Sequence, residues 1–369
     1  MSLTTDSRVV MTLDAGGTNF VFSAIKGGQP IIEPIHFPSN ADNLDRCLDT
    51  LVNGFHAVRS KVHEQPVAIS FAFPGPCDYP RAVVGDLPNL PAFRGGVALG
   101  KMLEAEFGIP VFMNNDGDLF AYGEAIGGFL PWVNSMLEES GSAKRFKNLV
   151  GVTLGTGFGA GIVIDGRLLI GDNSSGSEVW VLSGRYNSAI GAEESISIRA
   201  IRRHYGALSG LRFEQTPTPK DIYEIATEQI EGNVSAAIES FRLFGQALGG
   251  ALANLLTIVD GVAVIGGGLS GARELFVPAM LTEMRSSYTN ALTNIQYPRL
   301  AQKLFYLNDT EQMVDFCRGA EREIRVPRSE ESMVYDPMSR LGVGFSSCDA
   351  SVSIAMGAYA YALSALDRC

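Results

Sequence analysis

Met11-Thr12-Leu13-Asp14-Ala15-Gly16-Gly17-Thr18 and Val152-Thr153-Leu154-Gly155-Thr156-Gly157-Phe158-Gly159 are two versions of one pattern. Each is an apolar, strand-like run that breaks at a Gly-rich turn and leads into a second apolar run, 20–25 and 160–164. The pair predicts two strand–turn–strand units and hence a duplicated fold. Glycines let the backbone come close to a ligand, and successive amides in such a turn can point at phosphate oxygens. Only the first copy carries an acid, Asp14, which suits a magnesium ion or its bound waters. Two unrelated hairpins with Gly turns are the alternative on this pair alone.

A third turn, Gly266-Gly267-Gly268, ends the apolar run 262–265. One such turn is weak evidence, because glycine ends many strands for steric reasons. Three, each at the carboxyl end of an apolar run, point to nucleotide binding. The chain has no G-x-x-x-x-G-K-[ST], which excludes a P-loop. No G-x-G-x-x-G opens a helix after the first strand, which disfavours a dinucleotide site.

The 369 residues suffice for two domains with sizeable cores. A composition of 46% hydrophobic and 19% charged residues is that of an ordered globular chain. A net charge of -11 argues against nucleic acid or an anionic membrane surface as a partner. Backbone amides and a metal can still hold phosphates on an acidic protein. Residues 1–8 lack the apolar segment of a signal peptide, and the apolar stretch 247–265 is interrupted by Asn254 and Asp260. The five cysteines are scattered without a C-x-x-C pair. These features predict a cytoplasmic protein with reduced thiols.

Along the chain, periodicity predicts strands at 9–13, 20–25, 67–73 and 111–113, with helices at 43–61 and 97–107. A helix follows Asp116. Residues 130–147 read as an inserted loop with a short helix. Asp165-Gly166 predicts a tight hairpin between 160–164 and 167–170. Helices are expected at 193–204, 219–228, 233–257 and 272–284, and a strand at 262–265. The polar stretch up to 347 carries strands near 324–326 and 333–335, and 351–366 is an Ala-rich helix. Such alternation predicts helices packed on sheets.

Asn114-Asn115-Asp116 follows the 111–113 strand directly, where α/β sheets bind ligands. Asp116 there is either a helix N-cap or a general base toward an alcohol. Glu178 and Glu194 flank a Gly/Ser-rich stretch, and a carboxylate suits vicinal hydroxyls because each oxygen accepts from an O–H donor. Taken singly, each also reads as a solvated acid.

Together these residues resemble the ROK family of sugar kinases and sugar-responsive repressors, within the actin-like ATPase superfamily. The family's D-x-G-G-T is Asp14 to Thr18, its P-G-P turn Pro74-Gly75-Pro76, and its N-D pair Asn115-Asp116, with Gly123-Glu124 downstream. Its L-G-T-G-x-G-x-G run is Leu154 to Gly161, followed by the Asp165-Gly166 hairpin, and its late G-G-G is 266–268. The match runs over about 8–295 and again over the last helix. It implies an α/β, duplicated actin-like ATPase (ribonuclease H-like) fold with two domains around a central cleft. Residues 1–125 plus 351–369 would form the smaller lobe, and 126–350 the larger.

The resemblance also implies ATP-dependent phosphorylation of a hexose or N-acetylhexosamine. Asp116 would be the catalytic base, and Asn89, Asn115, Asp116, Glu178 and Glu194 the sugar contacts. ATP would be held by Asp14, Gly16, Gly17, Thr18, Gly155, Thr156, Gly157, Gly266, Gly267 and Gly268, with Mg2+ near Asp14. A homodimer is the candidate assembly. Too few residues precede the first strand for a helix-turn-helix, so a DNA-binding repressor is not expected. A catalytically silent sugar-binding protein is the alternative.

Two departures stand out. The family's G-E-x-G-H has Glu178 but Val181 in place of its histidine. Its zinc motif C-x-C-G-x-x-G-C-x-E aligns with residues 185–194, where every cysteine is replaced, and all four histidines lie elsewhere. No zinc site is therefore expected in that segment.

Overall fold

The computed structural model describes residues 3–15, 19–75, 77–86 and 91–368. The chain divides into two compact units. One comprises Met1–Pro131, Ala160–Ser177 and Ser346–Cys369, the other Trp132–Gly159 and Glu178–Phe345.

In the first unit, β1 (Val9–Ala15) and β2 (Asn19–Lys26) form the expected antiparallel pair, with Asp14 opposite Val21. The short strands β3 (Gln29–Pro30) and β4 (Ile35–Pro38) both pair with β2. On the other side of β1 lie β5 (Ala68–Ala72) and then β6 (Val111–Asn114), both parallel to it. Every residue of β5 is buried, as expected of a strand covered on both faces.

Helix α1 (Leu44–Lys61) starts where the Asn43 side chain accepts the Arg46 amide at 3.1 Å. It lays Leu51, Phe55 and Val58 on one face of the sheet. There the Phe55 ring meets Phe22 edge-on at 5.1 Å. Helix α2 (Leu99–Phe107) joins this layer and stops at Gly108, whose φ of +67° only glycine adopts without strain.

The other face is covered by α10 (Ala350–Leu366), which packs Tyr359, Ala362 and Leu363 against Val10, Ile25 and Ala68. Beside it runs α3 (Asp116–Ile126). The two helices meet at Gly123 and Gly357, where backbone touches backbone. Between them the buried Glu124 accepts from Ser346 at 2.6 Å, Ser353 at 2.5 Å and the Phe129 amide at 2.8 Å. Helix α4 (Phe129–Glu139) follows, longer than the short helix expected there because Phe129, Leu130, Val133 and Leu137 share one buried face.

The second six-stranded sheet has a parallel core in the order β13 (Lys303–Tyr306), β16 (Arg340–Phe345), β10 (Val262–Gly266), β7 (Leu149–Leu154). It is completed by β8 (Phe158–Ile164) and β9 (Arg167–Leu168). Asp165 and Gly166, at φ of +49° and +74°, make the hairpin that their sequence predicts. The second unit's helices are α5 (Ile198–Ser209), α6 (Pro219–Ala226), α7 (Val234–Val259), α8 (Arg273–Met284) and α9 (Thr310–Arg318). Helix α7 is long and apolar enough to cross a membrane, but 67% of its apolar window is buried inside the protein. It is a core helix, with Phe244 packed on Phe276 at 5.2 Å.

Two further expectations change. The helix expected at 193–204 begins only at Ile198, because Ser197 caps it, and Ala192–Glu194 form a separate 3-10 turn. The stretch 300–347 is not merely polar with two strands. It holds β13, α9 and the central strand β16, all six residues of which are buried. Arg-Leu-Gly-Val-Gly-Phe has weak strand propensity and opens on a charge. It is buried because Arg340 pairs with Asp336, and because Gly342 leaves the space that Leu307 fills. The expected strands near 324 and 333 form the hairpin β14 (Arg322–Arg325) and β15 (Ser332–Tyr335), and β11 (Ser287–Thr289) pairs with β12 (Gln296–Pro298).

The glycine contact between α3 and α10 yields a direct test. In an isolated helix Gly→Ala is stabilising by about 1 kcal/mol. In α10, a Cβ at Gly357 would overlap the Leu119 carbonyl oxygen, a backbone atom that cannot rotate away. Gly357→Ala is expected to lower stability by about 1–3 kcal/mol in chemical denaturation. A gain in stability would show that the helices can separate at no cost.

Candidate active site

Parallel strands deliver their carboxyl ends to one edge of a sheet. In the first sheet Asp14 of β1 is in register with Ala72 of β5, and Ala72 with Asn114 of β6. With neighbouring strands about 4.8 Å apart, Asp14 and Asn114 stand roughly 10 Å from each other on that edge. The turn after β5, Pro74-Gly75, lies between them in strand order. A side chain at Gly75 would overlap the hydroxyl of the buried Tyr79.

Asn115, not Asp116, caps α3. Its Oδ1 accepts the Gly117 amide at 2.8 Å, while its Nδ2 donates to Tyr79 Oη at 3.3 Å. Asp116 is the first helical residue, and its Oδ1 shares the Gly117 amide at 2.8 Å. Its side chain stays open to solvent, yet protein surrounds it. That desolvation raises its carboxyl above the usual 3.8, opposed by the amides of Gly117 and of Asp116 itself. Asp14, half-buried, is raised as well, by burial first and by the charge of Asp116 second. A half-buried carboxyl whose ionisation a neighbouring carboxylate opposes suits a cation, so Asp14 fits a magnesium ion.

In the second sheet Thr153 of β7 is in register with Gly266 of β10. The turns 155–157 and 266–268 therefore leave adjacent parallel strands side by side. Gly267, at φ of +91°, fits against the backbone of Leu154, which no other residue could do. Gly155 and Gly268 have open space where a side chain would stand, so a ligand could approach the backbone of either turn.

Glu178 accepts from the indole N–H of Trp180 and precedes the 3-10 turn Val179–Val181. Val181, where the family carries histidine, is 58% exposed. Glu194 is 39% exposed and is held by Arg199 at 2.9 Å and Arg203 at 3.4 Å. Gly16, Gly17, Thr18, Pro76 and Asn89 lie outside the described residues. The sequence reading did not single out Tyr79 or Asp118. The buried Asp118 accepts from Ser177 at 2.6 Å, one residue before Glu178. Its signal was a second acid one half-turn after Asp116, which reads equally as an ordinary first-turn acid.

The segment that aligns with the zinc motif closes on itself. Gly184 donates to Ile190 at 2.8 Å and Ala192 to Leu182 at 2.7 Å. Tyr186 Oη then donates to the Leu243 carbonyl at 2.7 Å on α7. Arg185, in place of the motif's first cysteine, pairs at 2.8 Å with the buried Glu283 of α8. Glu283 also pairs with Arg299, whose guanidinium reaches the Gly250 carbonyl at 3.1 Å. A carboxylate between two arginines thus ties the segment to α7 and α8.

Glu283→Ala would leave the buried Arg299 without a counter-charge, a loss of about 3–5 kcal/mol in stability. Thermal melting should show it at once. A melt unchanged from wild type would mean that the loop is held by its backbone bonds alone.

Comparison with known proteins agrees with this architecture. The ROK family model matches residues 10–303. A glucokinase crystal structure from Parabacteroides distasonis is 53% identical and covers 99% of both chains, with a TM-score of 0.89. An N-acetyl-D-glucosamine kinase of Photobacterium profundum is 29% identical over 71% of this chain and 85% of its own. A ROK glucokinase from Streptomyces griseus, solved with glucose and AMPPNP, is 18% identical, covers 95% of this chain and 98% of its own, and shares the fold at a TM-score of 0.59. With the ordered motifs, the paired sheets and their carboxyl-edge turns, the chain belongs to the ROK family, among its sugar kinases.

Proposed function

We propose that this protein transfers the γ-phosphoryl group of ATP to a hydroxyl of a hexose or N-acetylhexosamine, with glucose the first sugar to test. The observation that carries this reading is the strand register that puts Asp14 and the Asn114-Asn115-Asp116 run on one sheet edge. The glucokinase at 53% identity favours glucose. The N-acetyl-D-glucosamine kinase keeps the N-acetylhexosamine open.

In this reading Asp116 accepts the proton of the attacking hydroxyl. Its carboxyl, raised by desolvation, makes its carboxylate form a better proton acceptor than an ordinary aspartate. Asn115, fixed at both ends of its amide, and Glu178 and Glu194 orient the sugar, with Asn89 as a further contact. Turns 155–157 and 266–268, with 16–18, cradle the phosphates through backbone amides. Asp14 would hold Mg2+, which when bound neutralises phosphate charge. Phosphoryl transfer needs mainly positioning and charge neutralisation, and these groups supply both.

Asp116→Asn keeps the size and the bond to Gly117 but cannot take a proton. Turnover should fall about 10²–10⁴-fold with sugar affinity little changed. The stability effect runs the other way. A carboxyl raised by folding is bound more tightly to its proton in the folded state, so its contribution to stability declines as pH rises past the unfolded value near 3.8. The asparagine variant should therefore melt at or above the wild-type temperature at pH 7. Near-normal turnover in this variant would leave Asp116 a helix-start acid without catalytic work.

A panel of hexoses and N-acetylhexosamines with magnesium-ATP, followed by ADP release, tests the activity itself. Sugar binding without ADP release would favour the silent sugar-binding alternative. Elemental analysis of the purified protein should find no stoichiometric zinc, because residues 185–194 hold arginine, asparagine and alanine at the cysteine positions of the motif. About one tightly held zinc per chain would overturn that expectation.

A further inference from the structure

Glu193 lies beside a proposed sugar contact but reaches toward the other ligand's turn. Its Oε2 accepts the Phe158 amide at 3.1 Å, at the end of the 155–157 turn. Only glycine at position 157 leaves room for that oxygen, since a Cβ there would come within 2.5 Å of it. At the start of the turn, the Ile198 amide donates to the Gly155 carbonyl at 3.0 Å. The segment 193–198 thus grips the turn at both ends. Arg199 then pairs with Glu193 at 2.7 Å and with Glu194 at 2.9 Å. Arg203 takes the other Glu194 carboxylate oxygen and the Glu194 carbonyl.

We infer that Glu193 is a positioning residue that couples the nucleotide turn to the sugar acid Glu194 through Arg199, so that each ligand strengthens the binding of the other. This rests on the proposed reading, in which the turn holds ATP and Glu194 holds the sugar. The physical basis is one carboxylate with two tethers. One oxygen fixes a backbone amide of the turn, and the other fixes the guanidinium that orients Glu194. A sugar that orders Glu194 orders Arg199, and through it Glu193 and the Phe158 amide. Linkage makes the effect reciprocal: the nucleotide must raise sugar affinity by the factor by which the sugar raises nucleotide affinity.

The test is calorimetric titration of the wild type with glucose, or the panel sugar turned over fastest, with and without saturating magnesium-AMPPNP, and the reverse titration. Wild type should show a coupling factor of roughly five or more in both directions. Glu193→Ala should reduce it to about one, with each ligand still binding alone. Glu193→Gln should hold AMPPNP within about twofold of wild type, because its carbonyl can still accept the Phe158 amide, yet lose most of the coupling with the charge on Arg199. If Glu193→Ala fails to fold by circular dichroism, the glutamine variant carries the same decision. Coupling retained in the variants overturns the proposal, as does a wild type that binds both ligands independently. A wild type that binds neither ligand removes the nucleotide and sugar reading itself, and the proposal falls with it.

Discussion

Parallel strand register is the constraint on which the rest of this molecule depends. A parallel ladder fixes which residues of neighbouring strands stand level, and the covering helices fix which end of each strand is free to turn. In the first sheet this brings Asp14, Ala72 and Asn114 level across three strands. In the second it brings Thr153 level with Gly266. A slip of one residue in any of these strands would exchange the side chains of its two faces and move its terminal turn away from its neighbours. Each of these edges is therefore as well defined as the core that holds its register, as with the aromatic cluster of Phe22, Phe55 and Phe71 in the first sheet.

Glycine has two separate uses in this chain. At Gly267 and Gly75 it admits a close approach where a turn meets another element at the sheet edge. At Gly123 and Gly357 it brings two helices into backbone contact behind the first sheet. That contact also places the buried Glu124 among the donors that satisfy it, two serine hydroxyls and one amide. A polar group buried in such a place costs stability unless its oxygens find hydrogen-bond donors. Close helix packing and the satisfied acid are therefore parts of one solution.

Charge does comparable work in the second unit. Where the family motif has cysteines, this chain uses Arg185, Glu283 and Arg299 to secure a loop. A few residues on, Glu193, Arg199 and Glu194 link a strand turn to the start of α5. The two networks differ in burial. Glu283 and Arg299 are nearly inaccessible, with 5% and 7% of their side chains exposed, so removal of Glu283 leaves Arg299 stranded. Arg199 is 44% exposed, so its contribution lies in orientation more than in stability.

The repeated strand–turn pattern, the Asp165-Gly166 hairpin and the long helices were legible in the sequence, because local periodicity and turn chemistry decide them. So were the motif residues Asp14, Asn115, Asp116, Glu178 and Glu194 as candidates. Strand β16 was not legible: Arg340, Gly342 and Gly344 give it no strand signal, and it is a strand because β10 and β13 pair with it on either side. The start of α5 was missed for a related reason, since Glu193 and Glu194 continue the helical pattern on paper. Their carboxylates are instead drawn to the Phe158 amide and to Arg199 and Arg203. Local pattern alone specified the periodic elements, the turns and the chemical types of the candidate residues. Which of those groups share a sheet edge, and which acids are already paired, follows from strand register and ion pairing, which join residues far apart in the chain and leave no local trace.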